Sequence, residues 1–180
     1  MTQDYQHSHH GDPAQVYAVV DIETTGIQKT QHAITEIAVV KVRDKKIIDE
    51  WSSLLNPQRP IPSFITSLTG INDQMVADAP TFKTIADTLE EQLEDCIFVA
   101  HNVSFDYGFI KIAFQNMSRS FAKPKFCTLS NARKTFPGLP SYALGKLCQQ
   151  LDINLNQAHR ALSDARASAE LLILIQESQD

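Results

Sequence analysis

The sequence predicts an α/β domain: a mixed sheet flanked by helices, with a three-strand antiparallel front followed by parallel strands. Three strand patterns follow one another at the start of the chain, and helical and strand patterns alternate after them. The 180 residues suit one such domain with a full-sized core and leave little room for a second.

Residues 1–15 show no apolar periodicity and include His7, His9 and His10, so they read as a solvated tail outside the fold. The single domain is expected over 16–180. Residues 16–22 read as a buried strand that gives way to Thr24-Thr25-Gly26. Residues 34–42 and 46–55 are the next two strands, with Asp44-Lys45 as the tight connection between them. Pro57, Pro60 and Pro62 mark a loop. Short helical pieces follow, with Ser63 and Asn72 or Asp73 as caps. Phe82, Ile85, Leu89 and Leu93 have the spacing of an amphipathic helix over 81–93. The unbroken apolar run 96–100 predicts an interior strand. A helix over 104–117, a short strand over 125–128, and closing helices over 142–151 and 161–175 complete the chain.

The sharpest chemical signal is Asp21-Ile22-Glu23 at the end of the first strand. Residues i and i+2 of a strand point to one face, so the two carboxylates project side by side. Such a pair opposes folding unless a cation joins it. Alone, a D-x-E is a weak motif. Asp106 falls in the first turn of the helix that follows the 96–100 strand. There it reads equally well as an acid favoured by the helix dipole or as a third carboxylate at the mouth of the same sheet. His159 and Asp164 are five residues apart, about 140° apart around a regular helix, so they do not share a face. His159 is therefore placed in a loop before the helix that carries Asp164. A histidine on such an approach suits a general base; a surface loop histidine beside an ordinary helix acid is the plainer alternative.

The order D-x-E, then Asp, then H-x4-D, each at the end of a predicted element, is far more specific than any part. Val20-Asp21-Ile22-Glu23-Thr24-Thr25-Gly26, His101-Asn102-Val103-Ser104-Phe105-Asp106 and His159-Arg160-Ala161-Leu162-Ser163-Asp164 resemble, in order and spacing, the three motifs of the DEDDh exonucleases. That is the family of the proofreading subunit of bacterial replicative polymerases. Leu68-Thr69-Gly70-Ile71 and Tyr142-Ala143-Leu144-Gly145-Lys146-Leu147 also resemble family segments, and the likeness covers about 16–175.

The resemblance implies an RNase H-like fold and 3′–5′ hydrolysis of phosphodiesters. It assigns Asp21, Glu23, Asp106 and Asp164 to a cluster that holds two divalent cations, and His159 to general base. Hard oxygen ligands select Mg²⁺ or Mn²⁺. For the substrate, Thr24 and Thr25 are expected to offer hydroxyls or backbone N–H groups to the terminal nucleotide. Gly70 is expected to allow close backbone approach, and Ile71 to wedge against the last base as the equivalent loop does in relatives. Phe105 either stacks on a base or packs as a core phenylalanine. His101 and Asn102 are expected to support the site or cap the helix, with Asn102 counted among the substrate-facing groups. His32 and Trp51 have no functional case.

Relatives that trim short RNA often carry Met after the D-x-E acid. Thr24 stands there in this sequence and leans towards DNA, with single-stranded 3′ ends as the expected partner; an RNA-trimming enzyme is the alternative. A catalytically silent binding module is a third reading, opposed by the intact set of five residues. The proofreading subunit's polymerase-docking segment has no counterpart after Ile175. The chain is thus expected to act alone or to dock a DNA polymerase through its own surface.

A formal net charge of −5 argues against tight duplex binding, although two divalent cations would bring it to about −1. Cys96, Cys127 and Cys148 are odd in number and widely spaced, which suits buried thiols in a reducing compartment. With 43% hydrophobic residues, no long apolar run and no signal-peptide pattern, the expected address is the cytoplasm, away from membranes.

Overall fold

The computed structural model describes residues 15–179, so the expected tail, apart from Gln15, lies outside the described residues. The strands are β1 Val16–Thr24, β2 Ile34–Arg43, β3 Lys46–Leu54, β4 Cys96–Ala100 and β5 Lys125–Cys127. Their order across the sheet is β3-β2-β1-β4-β5. β2 pairs antiparallel with β1 and β3, while β4 runs parallel to β1 and β5 parallel to β4. This is the mixed sheet the sequence predicts. At the β2–β3 turn Asp44 and Lys45 have φ of 51° and 57°. Both are left-handed, the conformation that lets a two-residue hairpin follow the twist of its strands.

The helices are α1 Ser63–Thr69, α2 Asp73–Val76, α3 Phe82–Gln92, α4 Val103–Gln115, α5 Thr128–Thr135, α6 Leu144–Leu151 and α7 Ala161–Glu177. Two caps differ in outcome. Asn72 caps α2 by accepting from the Met75 N–H at 3.0 Å. Ser63 is no cap: Pro62 holds that position in α1, and no side chain bonds the first turn. Asp73 instead accepts from the Ile61 N–H at 2.9 Å and ties the proline loop to α2. The sequence reading missed α5, because Leu129 and Ala132 are its only apolar residues and give no periodic signal.

Strand alternation sends β1 side chains to two different layers. Ala18, Val20 and Ile22 join Phe98, Ile85, Leu89, Tyr107, Ile110 and Phe114, beneath α3 and α4. Aromatic edges lock that layer, with Phe98 and Tyr107 ring centroids 5.2 Å apart. Val19 faces the other way, onto Ala161, Ala165, Ala169 and Leu172 of α7. Alanines spaced by four residues make a smooth helix face, so α7 packs close against the sheet. Its opposite side, through Ala167, Leu171 and Ile175, covers α5 and α6. Among the described residues no helix is long and apolar enough to cross a membrane.

Candidate active site

Asp21 and Glu23 follow Val19 in the alternation of β1, so both project on the α7 side of the sheet. β1 runs two residues further than the sequence predicts, to Thr24, with a register shift between Glu23 and Thr24. The parallel pairing with β4 has ended by then, at Val19 opposite Val99. The Ile22 N–H finds its acceptor in Asp106 Oδ1 at 3.2 Å instead. Asp106 lies in the first turn of α4, only 4% exposed, and is thereby fixed to the backbone between the two β1 acids.

The third element is the loop before α7. His159 lies outside the helix, as its spacing from Asp164 predicts, with φ of 63°. That left-handed geometry is uncommon for a residue with a side chain. The His159 N–H donates to Asp164 Oδ2 at 3.0 Å, so the acid in the first turn of α7 holds the loop that precedes it. One ligand atom each from Glu23, His159 and Asp164 lies within 4.8 Å of the other two. A divalent cation needs such a convergence of donors, and the Glu23 and Asp164 carboxylates fit one, with His159 beside them.

Electrostatics supplies the second sign of a cation site. Burial, then the charges of Asp164, Glu36 and Asp106, push the Glu23 carboxyl up to about 8, against an opposing pull from Arg160. Burial pushes Asp106 up to about 7, opposed by backbone hydrogen bonds and Lys29. Asp21 rises well above the carboxylate range through burial and the surrounding carboxylates. Asp164 also rises by burial, opposed by the His159 N–H. Without a cation, these acids cannot all carry charge at neutral pH.

A family model described as Exonuclease matches residues 18–172. The chain belongs to the exonuclease family. It is 39% identical over 170 residues to the PolC-type DNA polymerase III of Bacillus cereus, covering 94% of this chain and 12% of that protein. It is 43% identical over 159 residues to the 3′–5′ exonuclease DinG of Staphylococcus epidermidis, covering 87% of this chain and 18% of that protein. Among solved structures it resembles Exonuclease X in complex with 5′ overhanging duplex DNA. That match has a TM-score of 0.71 and 32% identity, and covers 89% of this chain and 91% of the other. The chain thus spans less than a fifth of the length of those two sequence relatives.

The Thr24 hydroxyl donates to the Gly26 carbonyl at 2.7 Å, and Thr24 is buried. Thr25 Oγ1 accepts from the Ala33 N–H at 3.1 Å and meets His32 Nδ1 at 3.2 Å. Both hydroxyls are engaged inside the loop. His32, unassigned from sequence, helps shape this loop: a Cβ on Gly26 would sit 2.5 Å from its ring.

Ile71 is fully buried with Ile61, Ile65 and Val76, and does not stand out as a wedge. Gly70 has φ of 74° at the end of α1, and the space where a Cβ would lie is open, with nothing within 4 Å. Asn102 has φ of 71° and makes no capping bond; its Oδ1 accepts from the Ser104 hydroxyl at 3.2 Å. It stays exposed beside the turn that carries Asp106. Phe105 is half-buried against Phe109, with centroids 5.1 Å apart. His101 Nδ1 meets Thr128 Oγ1 at 3.0 Å and Nε2 meets the Tyr142 carbonyl at 2.9 Å, tying the turn after β4 to the start of α5 and to the loop before α6. Two of the thiols, Cys96 and Cys148, are buried as expected and Cys127 is half-buried; all three are free.

The sequence reading missed Glu36, Arg160 and Lys29. Glu36 is 5% exposed on β2, directly opposite Glu23. Arg160 grips it through Nε at 3.1 Å and Nη2 at 2.8 Å. A lone acid inside the apolar run of β2 was the available signal. Lys29 lies over Gly108 of α4, where a Cβ would come within 2.7 Å of its side chain.

Proposed function

We propose that this chain is a 3′–5′ exonuclease that removes nucleoside 5′-monophosphates from DNA ends. Asp21, Glu23, Asp106 and Asp164 would hold two divalent cations, Mg²⁺ or Mn²⁺. The observation that carries this reading is the convergence of Glu23, His159 and Asp164 beside Asp21, where burial and crowding keep the carboxyls from ionising together. When bound, the cations would neutralise the nonbridging phosphate oxygens and stabilise the leaving 3′ oxygen.

The chain's own groups do the rest. β1 presents Asp21 and Glu23 as one edge of the site, α4 presents Asp106, and α7 presents Asp164. His159 takes the proton of the attacking water as its oxygen bonds to phosphorus. The bond from phosphorus to the 3′ oxygen breaks, and that oxygen collects a proton from solvent. Phe105, half-buried one residue before Asp106, would give the terminal base a stacking surface. The preference for DNA rests on Thr24 after the D-x-E acid and on the likeness to Exonuclease X, which was solved with duplex DNA. A DNA polymerase partner is supported by the likeness to PolC-type polymerases.

A 5′-labelled single strand is expected to yield a descending ladder with Mg²⁺ or Mn²⁺ and nothing with a chelator. A recessed or mismatched duplex and an RNA of matching sequence, run alongside, rank the substrates. Internal cuts, or activity indifferent to the chelator, overturn the reading. Faster trimming of RNA overturns the preference for DNA alone.

A further inference from the structure

Arg160 directly follows His159, and its charge is felt at Glu23. A guanidinium at the rim of a carboxylate cluster is a natural competitor for any cation meant to bind there, since it pairs readily with carboxylates in a two-pronged fork. In this fold the fork is already closed on a different acid. Arg160 Nε donates to Glu36 Oε2 at 3.1 Å and Nη2 to Oε1 at 2.8 Å. The same Oε2 accepts from the Ala161 N–H at 2.9 Å, which is one of the otherwise unpaired donors at the start of α7. One buried carboxylate therefore holds both the residue after His159 and the helix that carries Asp164.

The position of Glu36 gives these contacts a further meaning. It pairs across the sheet with Glu23, and directly opposed residues of an antiparallel pair project on the same face at close range. Arg160 thus has two acids within one neighbourhood, and Glu36 takes the guanidinium away from the one that faces His159 and Asp164. We propose that Glu36 is a positioning residue that sequesters Arg160, leaving Glu23 and Asp164 free for a divalent cation. This inference rests on the metal-site reading above.

The test is Mn²⁺ binding to chelator-treated protein, read from the spectroscopic signal of free Mn²⁺ and without any substrate. Glu36→Gln releases Arg160 towards Glu23, so Mn²⁺ affinity should fall by about 10- to 100-fold. Adding Arg160→Gln removes the competitor, and the double variant should recover to near the wild-type affinity. A purely structural pair gives the opposite order, with the double variant as weak as Glu36→Gln or weaker. Arg160→Gln alone serves if Glu36→Gln does not fold. It should bind Mn²⁺ at least as tightly as the wild type, whereas a purely structural role loosens the His159 loop and weakens binding. Wild-type binding with an unchanged Glu36→Gln, or no recovery in the double variant, overturns the inference alone. A wild type that binds no Mn²⁺ overturns the metal-site reading with it.

Discussion

In chelator at pH 8, Asp21→Asn is expected to melt above the wild type, and it is expected to release no nucleotide at any Mg²⁺ concentration. Burial and neighbouring carboxylates raise Asp21, and they take Glu23 to about 8 and Asp106 to about 7. Acids whose folded pKa exceeds the unfolded value add stability that is fully present below about pH 4 and is lost as pH climbs through the folded values. The metal-free wild type should therefore weaken between about pH 5 and pH 8. Asparagine at 21 removes one repelling charge and softens that decline.

Cation binding to the folded state alone should restore the wild type by about 2.7 kcal/mol at a hundredfold excess over Kd. For a chain of this size that is a melting shift of roughly 5–10 °C. Most of this increment should vanish in Asp21→Asn. The sign discriminates between roles, because an ordinary capping or salt-bridged aspartate loses stability on becoming asparagine. Melts of both proteins, in chelator and in millimolar Mn²⁺, give the comparison.

His159→Ala is expected to lose about 10²- to 10⁴-fold in kcat while Mn²⁺ affinity changes little. His159 is exposed, on a left-handed residue tethered through its N–H to Asp164. A side chain held by its backbone alone suits a group that meets its water only when substrate is present. Alanine is strained in that backbone conformation, so His159→Asn, which tolerates it, separates a lost base from a disturbed loop. Both variants should show the same loss in kcat. Single-turnover rates with saturating Mn²⁺ check this. A matching loss of Mn²⁺ affinity would make His159 a ligand, consistent with its closeness to Glu23 and Asp164.

The sheet and the Asp21–Glu23 pair were legible in the sequence for local reasons. β4 has the bounds of its apolar run because every residue of 96–100 had to be apolar to pass between β1 and β5. The two-residue period of β1 put Asp21 and Glu23 on one face, and the 3.6-residue helical period excluded His159 from α7. What stayed hidden depends on partners far along the chain. Thr24 and Thr25 have hydroxyls, but no sequence pattern reveals that Gly26 and Ala33 already engage them. Nor does the type of Ile71 reveal that it packs fully buried with Ile61, Ile65 and Val76. The Glu36–Arg160 pair spans 124 residues and depends on strand register and on the angle at which α7 crosses the sheet.

Buried carboxyls, partly protonated without metal, form the proposed cation site. Calorimetric titration of Mn²⁺ into chelator-treated protein, in two buffers of different ionisation enthalpy, measures bound ions and released protons together. Two ions per chain and net proton release at pH 7 are expected, because Glu23 and Asp106 must lose protons held up to about 8 and about 7. Release should shrink at pH 9, where both are already ionised. No binding heat, or binding with the same buffer-independent heat at pH 7 and pH 9, would contradict that expectation.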